Sequence, residues 1–547
     1  MKGERKQISM AGLPFNELRD RNKYFVDKSL LIKDLLSTDD SGVFLFTRPR
    51  RFGKTTNLSM LDAFFNIEYK GNTWFDDLEI SKYPEYNRHK NAYPVIYVNL
   101  RFIKEETYDA FICGVRKAMS LAVKPHMHII ESDRIDDVTR RMLANMRDTY
   151  LNEMDLKDSL RFLSEALYDY YGVHAVILID EYDCSLSDSF GKESHRPMLS
   201  FLRGFLGLAL KDNPNLQMAY VTGVMQIAKE SIFSDLNNIQ VYNVFSSMSD
   251  ERFGFTETEI KELLAYYDLS DQIDVIRKWY DGYKFGKAEV YNPYSVLCFI
   301  RGDCIPKPYW ANTGSNAIIQ ALLDCINQKN LAVITNLLTY GSADVRINEA
   351  LAYGNVYDSD ESLFSLMAMA GYLNTKPIGN GLCCVSIPNM EIRTVIDGIM
   401  REEIAVRDSD LTKFNNALIN SDAEGMRDSL ESILSDESYL VLHEYTYEAI
   451  IVTVLHLLSE VYEVRADHES GNDRTDIRLR PKNAKYPWVV FELKTVGSRK
   501  QLDRDLDEAF NQIHENKYYM DMRGRVVLIG IALCRKIPKV RIETIDV

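Results

Sequence analysis

Most apolar residues of this chain are spaced for helices, but a few fall in short unbroken runs. Val43–Phe46, the centre of YPVIYVNL (Tyr93–Leu100), Ala175–Ile179 and the centre of LQMAYVTGV (Leu216–Val224) are such runs. A strand covered on both faces of a parallel sheet reads this way. Between them the spacing changes to helical. Leu58, Leu61, Phe64 and Phe65 share one side after Thr55, and a polar helical stretch fills about 104–171. Strands alternating with helices predict an α/β domain around a parallel sheet.

From about residue 250 the texture becomes aromatic and turn-rich. FGFTETEIKELLAYY offers a threonine N-cap and a helix, followed by WYDGYKF, YNPYSVLCFI and YWANTG. This predicts a small helical lid or winged-helix-like subdomain. Its aromatic rings suit either base stacking or the packing of a small core. Residues 313–440 are mostly helical in pattern, with a hairpin-like break at SLFSLMAMAGYLNTKPIGNGLCCVSIPN. The last hundred residues predict a helix (Thr446–Glu460), three strands, a helix over about 500–519 with Leu502, Leu506, Phe510 and Ile513 on one face, a strand (Val526–Leu533) and an edge strand. The expected division is 1–249, 250–312, 313–440 and 441–547.

The first chemistry lies where the run Val43–Phe46 meets the helix, in RPRRFGKTT. A strand, a tight basic turn and a helix N-terminus form a cradle for nucleotide phosphates. In that reading Arg51, Phe52, Gly53, Lys54, Thr55 and Thr56 surround the phosphates, Lys54 reaches the β- and γ-phosphates, and the Thr55 hydroxyl ligates Mg²⁺. The usual pattern places a glycine where this chain has Arg48, and Pro49 removes one backbone donor. Asp180 and Glu181 end the run Ala175–Ile179, at the edge of the sheet where ligands bind. Asp180 would hold Mg²⁺ opposite Thr55, and Glu181 would polarise the water that attacks the γ-phosphate. Alone, the two acids could be a solvated turn; together with GKT they predict an ATP site. Thr222, at the end of the next strand, is either a γ-phosphate sensor or an ordinary strand-end threonine. Arg203 is either an arginine finger acting on a second subunit or a surface arginine.

A second constellation lies near the C-terminus. Asp476 sits on the second of the three strands and Glu492-x-Lys494 on the third, where Glu492 and Lys494 leave the same face. If the two strands pair, Asp476 and Glu492 can converge on one Mg²⁺ or Mn²⁺ ion. Such an ion offsets charge on a scissile phosphate and activates water, with Lys494 orienting that water. An E-x-K tripeptide alone is also what the solvent face of a sheet carries.

Composition narrows the function classes. The 547 residues carry a net charge of −15, which argues against a protein that coats DNA through a globally basic surface. The segment 441–547 is charge-balanced, so the acidity belongs to the rest. Eight cysteines without a C-x-x-C pair or a His–Cys cluster predict free thiols and no structural zinc. No apolar run approaches a membrane span, and no signal core opens the chain, so a cytoplasmic protein without a membrane partner is expected.

Taken together, YFVDKSLLI, RPRRFGKTTNLSML, VILIDEYD, VTGV, IFSDLNNI, FGFTETEI, WYDGYKF, YNPYSV, YWANTG, GNDRTDI, FELK and EAFNQIHENKY resemble prokaryotic proteins that join an AAA-ATPase-like domain to a C-terminal PD-(D/E)XK nuclease-superfamily domain. The resemblance covers nearly the whole chain. It implies a P-loop sheet with a lid, then the α/β nuclease fold. It also implies that RPRRFGK is the family's own phosphate loop, and it puts Asp180 and Glu181 at the Walker B positions. Asp476, Glu492 and Lys494 fall on the nuclease positions, and Gln512 and Tyr518 match a later Q-and-Y helix motif. There are departures. Asp473 replaces a glycine beside the site, and Ile451-Val452 stand where Tyr-His is frequent. Glu448 is either an additional metal-side carboxylate or a helix-surface acid.

Two readings follow. In one, ATP turnover drives metal-dependent cleavage of nucleic acid, with DNA the expected partner. In the other, a nucleotide-switched scaffold uses a silent nuclease fold to bind nucleic acid or protein; Asp473 and the acidic charge favour it. Homo-oligomerisation is open in both.

Overall fold

The computed structural model describes residues 5–10, 12–39, 41–189, 191–211, 213–225, 239–310, 330, 333–334, 336–338, 341–349, 360–403, 408–434, 451, 454–455, 461–467, 476–520, 522–534 and 536–547. The chain forms two compact units. The first is Met1–Ala321 with Arg346–Thr375 and Pro388–Glu391; the second is Leu322–Val345, Lys376–Ile387 and Ile392–Val547.

Two helices open the first unit, α1 (Phe15–Asp20) and α2 (Leu30–Thr38). A five-stranded sheet in the order β2-β3-β4-β1-β5 is its centre, with β1 Val43–Thr47, β2 Val95–Asn99, β3 Ala175–Asp180, β4 Leu216–Gly223 and β5 Ile239–Tyr242. Every pairing is parallel, which explains the unbroken apolar runs: β1 and β3 are buried along their whole length. α3 (Lys54–Phe65) follows β1 directly, and its Leu58, Leu61, Phe64 and Phe65 are buried as the spacing predicts. The polar stretch is α4 (Tyr108–Val123), α5 (Asp137–Arg147) and α6 (Glu153–Tyr171), and β3 is joined to β4 by α7 (Cys184–Ser189) and α8 (His195–Leu210). Register aligns Asn99 with Asp180 and Thr47 with Gly223, so the strand ends that carry polar residues meet at one edge.

After the sheet come α9 (Glu257–Tyr266), α10 (Ile273–Tyr280), the hairpin β6 (Tyr283–Phe285) and β7 (Ala288–Val290), and α11 (Pro293–Arg301). Thr256 caps α9 in a capping box with Glu259, as its sequence suggests. Tyr280, Tyr291 and Phe299 are buried with Ile260, Leu263 and Val296 in one cluster. These rings pack a small core rather than offering faces for base stacking.

β8 (Ser342–Arg346), β9 (Asn374–Gly379) and β10 (Leu382–Ser386) form a small sheet in which β10 is central. The second unit's main sheet has the order β11-β12-β13-β14-β15: β11 Tyr462–Asp467, β12 Asp476–Pro481, β13 Trp488–Thr495, β14 Arg525–Cys534 and β15 Ile537–Asp546. β13 and β14 are parallel and the other neighbours antiparallel. The helix Leu502–Glu515 connects the parallel pair, and Phe510 and Ile513 pack on Val490, Val526 and Leu528. Most of the predicted helix Thr446–Glu460 lies outside the described residues.

His126 is buried behind β2 and donates Nε2–H to the Val95 carbonyl at 3.1 Å. Burial holds its pKa down at about 4, so the folded chain carries it neutral. Between pH 6.5 and 4 the unfolded chain takes up a proton that the folded chain refuses. Stability therefore falls as pH falls through that window, by up to ~3 kcal/mol. His126→Gln should flatten the pH dependence of the urea midpoint between pH 7 and 4.5; an unaltered slope would contradict this.

Candidate functional site

The loop between β1 and α3 is built so that backbone, not side chains, faces the helix entry. Gly53 is the N-cap of α3 at φ 82°, and no side chain caps the helix. A residue with a Cβ is strained in that conformation, and the first amides of α3 remain open to an anion. Arg51 also has a positive φ of 70°, with its guanidinium 4.5 Å from the centre of the Tyr294 ring. Phe52 points away, buried edge-on against Tyr283 and Phe285. Any part Phe52 has in phosphate binding therefore falls to its backbone.

Arg48, where a glycine is usual, does not enter the cradle. Its fully buried guanidinium donates to the carbonyls of Thr47 and Tyr242, both at 2.9 Å, and lies over Phe253 and Phe285. Burial lowers its pKa to about 10. Cation–π contact and two carbonyls offset the desolvation of this charge. Lys54 stays inside the loop, and its ammonium donates to the carbonyls of Arg48 (3.0 Å) and Pro49 (2.9 Å). Burial lowers its pKa, opposed by Glu181, Asp183 and Asp180 in that order.

Opposite Lys54, the Asp180 carboxylate is fully buried and accepts from Thr55 Oγ1 at 2.8 Å and Thr222 Oγ1 at 2.7 Å. Desolvation raises its pKa against those two bonds. A hydroxyl and a carboxylate in contact, facing a lysine, are the hard oxygen donors that Mg²⁺ takes while keeping waters. Glu181 holds a positive φ of 51°, a strained backbone that turns it away from the strand direction. Asp183 is buried and accepts from the amides of Val224 (3.0 Å) and Met225 (2.8 Å). A Cβ on Gly223 would come within 2.5 Å of the Tyr182 ring, so β4 can end this close to the acidic turn only with glycine there. A cavity of about 730 Å³ opens over this edge and is lined by Arg50, Arg51, Gly53, Lys54, Thr55, Thr56 and Glu181 among others.

In the second unit, β12 pairs with β13 through Ile477 with Phe491, Arg478 with Val490 and Leu479 with Val489, and position 476 lies one residue before the first of these pairs. Glu492 is fully buried, and its Oε1 is 3.6 Å from Lys494 Nζ. Val490, Glu492 and Lys494 alternate onto one face of β13, the face on which Val490 meets Phe510 and Ile513. Gln512 and Asn516 donate to the Tyr518 hydroxyl at 3.4 and 2.5 Å. Position 476 begins β12. Glu448 and Asp473 lie outside the described residues.

Residues 11–233 match the family model described as "Predicted AAA-ATPase", and residues 442–542 match the PD-(D/E)XK nuclease superfamily. The chain joins an AAA-ATPase-like domain to a PD-(D/E)XK nuclease-superfamily domain. An uncharacterized protein from the vnfD 5' region of Azotobacter chroococcum mcd 1 is 27% identical to it over 97% of each chain.

In the AAA-ATPase-like domain the structure brings together Lys54, Thr55, Asp180, Glu181 and Thr222 at one sheet edge. Thr222 touches Asp180 and does not line the cavity. Arg203 is exposed on α8 and is not among the cavity's lining residues. In the nuclease-superfamily domain, Gln512 and Tyr518 meet each other through a hydrogen bond. Sequence reasoning missed Asp183, although it stands inside IDEYD, because a buried anchor and a solvated acid look alike in a sequence. It also missed Arg101 and Lys104, which line the cavity from the loop after β2. Among the described residues, no group of three or more His, Cys, Asp or Glu is arranged to hold a metal, and no helix is long and apolar enough to cross a membrane.

Thr222→Val keeps the volume of the side chain and removes the bond to Asp180 Oδ1. A buried carboxylate losing that donor should destabilise the fold by about 1–3 kcal/mol. Urea denaturation measures it, and an unchanged midpoint would mean that the bond contributes nothing.

Proposed function

We propose that this protein binds and hydrolyses ATP with Mg²⁺ at the edge of the first sheet, and that its C-terminal domain cleaves nucleic-acid phosphodiesters, DNA first among them, with Mg²⁺ or Mn²⁺. The observation that carries the first half is the chain Thr55–Asp180–Thr222 facing Lys54 at the open N-terminus of α3. There Lys54 would leave its two carbonyls for the β- and γ-phosphates, and the amides of Gly53 to Thr56 would receive the remaining phosphate oxygens. Thr55 and Asp180 would hold Mg²⁺, which supplies charge neutralisation when bound. Glu181, strained and beside Lys54, would orient the attacking water.

For the second half the support is a fully buried glutamate at position 492, with Lys494 on the same face and position 476 at the start of the neighbouring strand β12. A buried carboxylate is costly unless something cationic meets it. Lys494 meets it from the same face of β13, and a divalent ion held by positions 476 and 492 would be a second cationic partner. The ion supplies Lewis acidity and an activated water when bound.

Lys54→Ala should abolish ATP turnover while thermal melting shows an intact fold; full turnover would overturn the phosphate-loop assignment. Glu492→Gln should abolish Mn²⁺-dependent nicking of plasmid DNA and leave ATP turnover in place. If the wild-type protein turns over ATP but cuts neither DNA nor RNA, the nucleotide-switched scaffold replaces the nuclease reading.

A further inference from the structure

The cavity at the phosphate loop has a lining that the loop alone does not explain. Beyond Arg50, Arg51 and Lys54, it is lined by Arg101 and Lys104. Five cations therefore stand against two carboxylates there, Asp62 and Glu181. In a chain of net charge −15, such a concentration of positive charge in a concave site attracts a polyanion.

Arg101 and Lys104 are placed by a well-anchored segment. β2 runs parallel to β3 with Asn99 beside Asp180, so the residues after Asn99 emerge at the edge where Asp180 and Glu181 stand. The Leu100 amide donates to the Asp180 carbonyl at 3.0 Å, and Cys184 Sγ donates to the Arg101 carbonyl at 3.4 Å. Leu100 and Ile103 are buried, and Asn99 Oδ1 accepts from the Arg101 amide at 2.9 Å. Beyond the segment, Glu106 pairs with Lys192 at 2.9 Å. The backbone is thus tied to the acidic turn at Leu100 and Arg101, while the Arg101 and Lys104 side chains are exposed and line the cavity. No hydrogen bond or ion pair engages the Lys104 ammonium among the described residues, and Arg101 lies only over the ring of Phe102.

The apolar lining comes from other elements: Met10, Leu13 and Pro14 before α1, and Pro293, Tyr294 and Leu297 on α11. A nucleoside triphosphate laid along the loop would put its base toward these residues and its terminal phosphate toward β3. We propose that Arg101 and Lys104 bind the terminal phosphate of the nucleotide from within the same chain. This inference rests on the ATP reading above and deepens it. The site then distinguishes triphosphate from diphosphate without a cation from a second subunit, the role for which Arg203 was the sequence candidate. A guanidinium and an ammonium on the oxygens of the γ-phosphoryl, which passes to water as ADP leaves, would also stabilise the charge spread over them during hydrolysis.

The test compares the wild-type full chain with the Arg101→Ala/Lys104→Ala double variant. Dissociation constants are measured with Mg²⁺ for ADP and for the non-hydrolysable imido analogue of ATP. Both side chains are exposed, so the variant should melt at the wild-type temperature. The proposal predicts that the variant binds the analogue at least about tenfold more weakly, the effect of one lost charge-assisted contact, while its ADP affinity stays within about twofold. Equal weakening toward both nucleotides would overturn it, because the cations would then act on the cavity as a whole. Unchanged affinity for both would overturn it as well. A wild-type protein that binds neither nucleotide would remove the ATP reading itself, and with it this inference. As a second readout, ATP turnover per chain in the wild type should be independent of protein concentration; a rise with concentration would show that the deciding cation comes from another copy.

Discussion

The first unit depends on one buried negative charge. Asp180 has no exposed surface, and two hydroxyls from different elements hold its two oxygens, Thr55 at the start of α3 and Thr222 at the end of β4. Because β1, β3 and β4 converge at that point, the bonds fix the order and level of three strand ends. They also fix where the phosphate loop can lie. A buried carboxylate without such donors would be among the more costly features of a fold. With them it remains a polarised acceptor beside a buried lysine. The charge that threatens stability is also the group best placed to hold a metal ion.

Arg48 extends the same logic. Its position would normally be filled by a residue that lets backbone approach a phosphate. Here the guanidinium turns into an aromatic box of Phe253 and Phe285 and ties the loop to β5 through the Tyr242 carbonyl. Trp310 adds a second tie by donating to the Arg50 carbonyl at 3.1 Å. The loop is therefore held from outside by side chains, where a glycine-rich loop is held by its own turns. This arrangement explains how a phosphate cradle can form with arginine and proline in place of the expected residues.

Much of this was legible in the sequence for definite reasons. The runs Val43–Phe46 and Ala175–Ile179 are continuous because parallel strands are covered on both faces, and helical spacing from Leu58 to Phe65 left one reading for α3. In the C-terminal domain, the runs YPWVVFELKTV and VVLIGIAL marked two strands, and the spacing of Phe510 and Ile513 gave the helix between them; that the two strands pair in parallel came from the structure. The strand order, by contrast, was not readable, since no local pattern says that β4 lies between β3 and β1. Nor was the fate of Arg48, because the sequence shows only that an arginine stands where a glycine is usual, not that its guanidinium is buried. Arg101 and Lys104 were hidden for the opposite reason: exposed cations after a strand are ordinary until register places that strand end beside Asp180.

The central claim is that the edge formed by the phosphate loop, the end of β3 and the segment after β2 receives one nucleoside triphosphate. Hydrogen–deuterium exchange of the full chain with and without ATP and Mg²⁺ tests it most directly. The account predicts slower exchange in 48–57, 100–104 and 180–184 on adding nucleotide, with no comparable change in β12 to β15. Unchanged exchange across 48–57 at saturating ATP would contradict it.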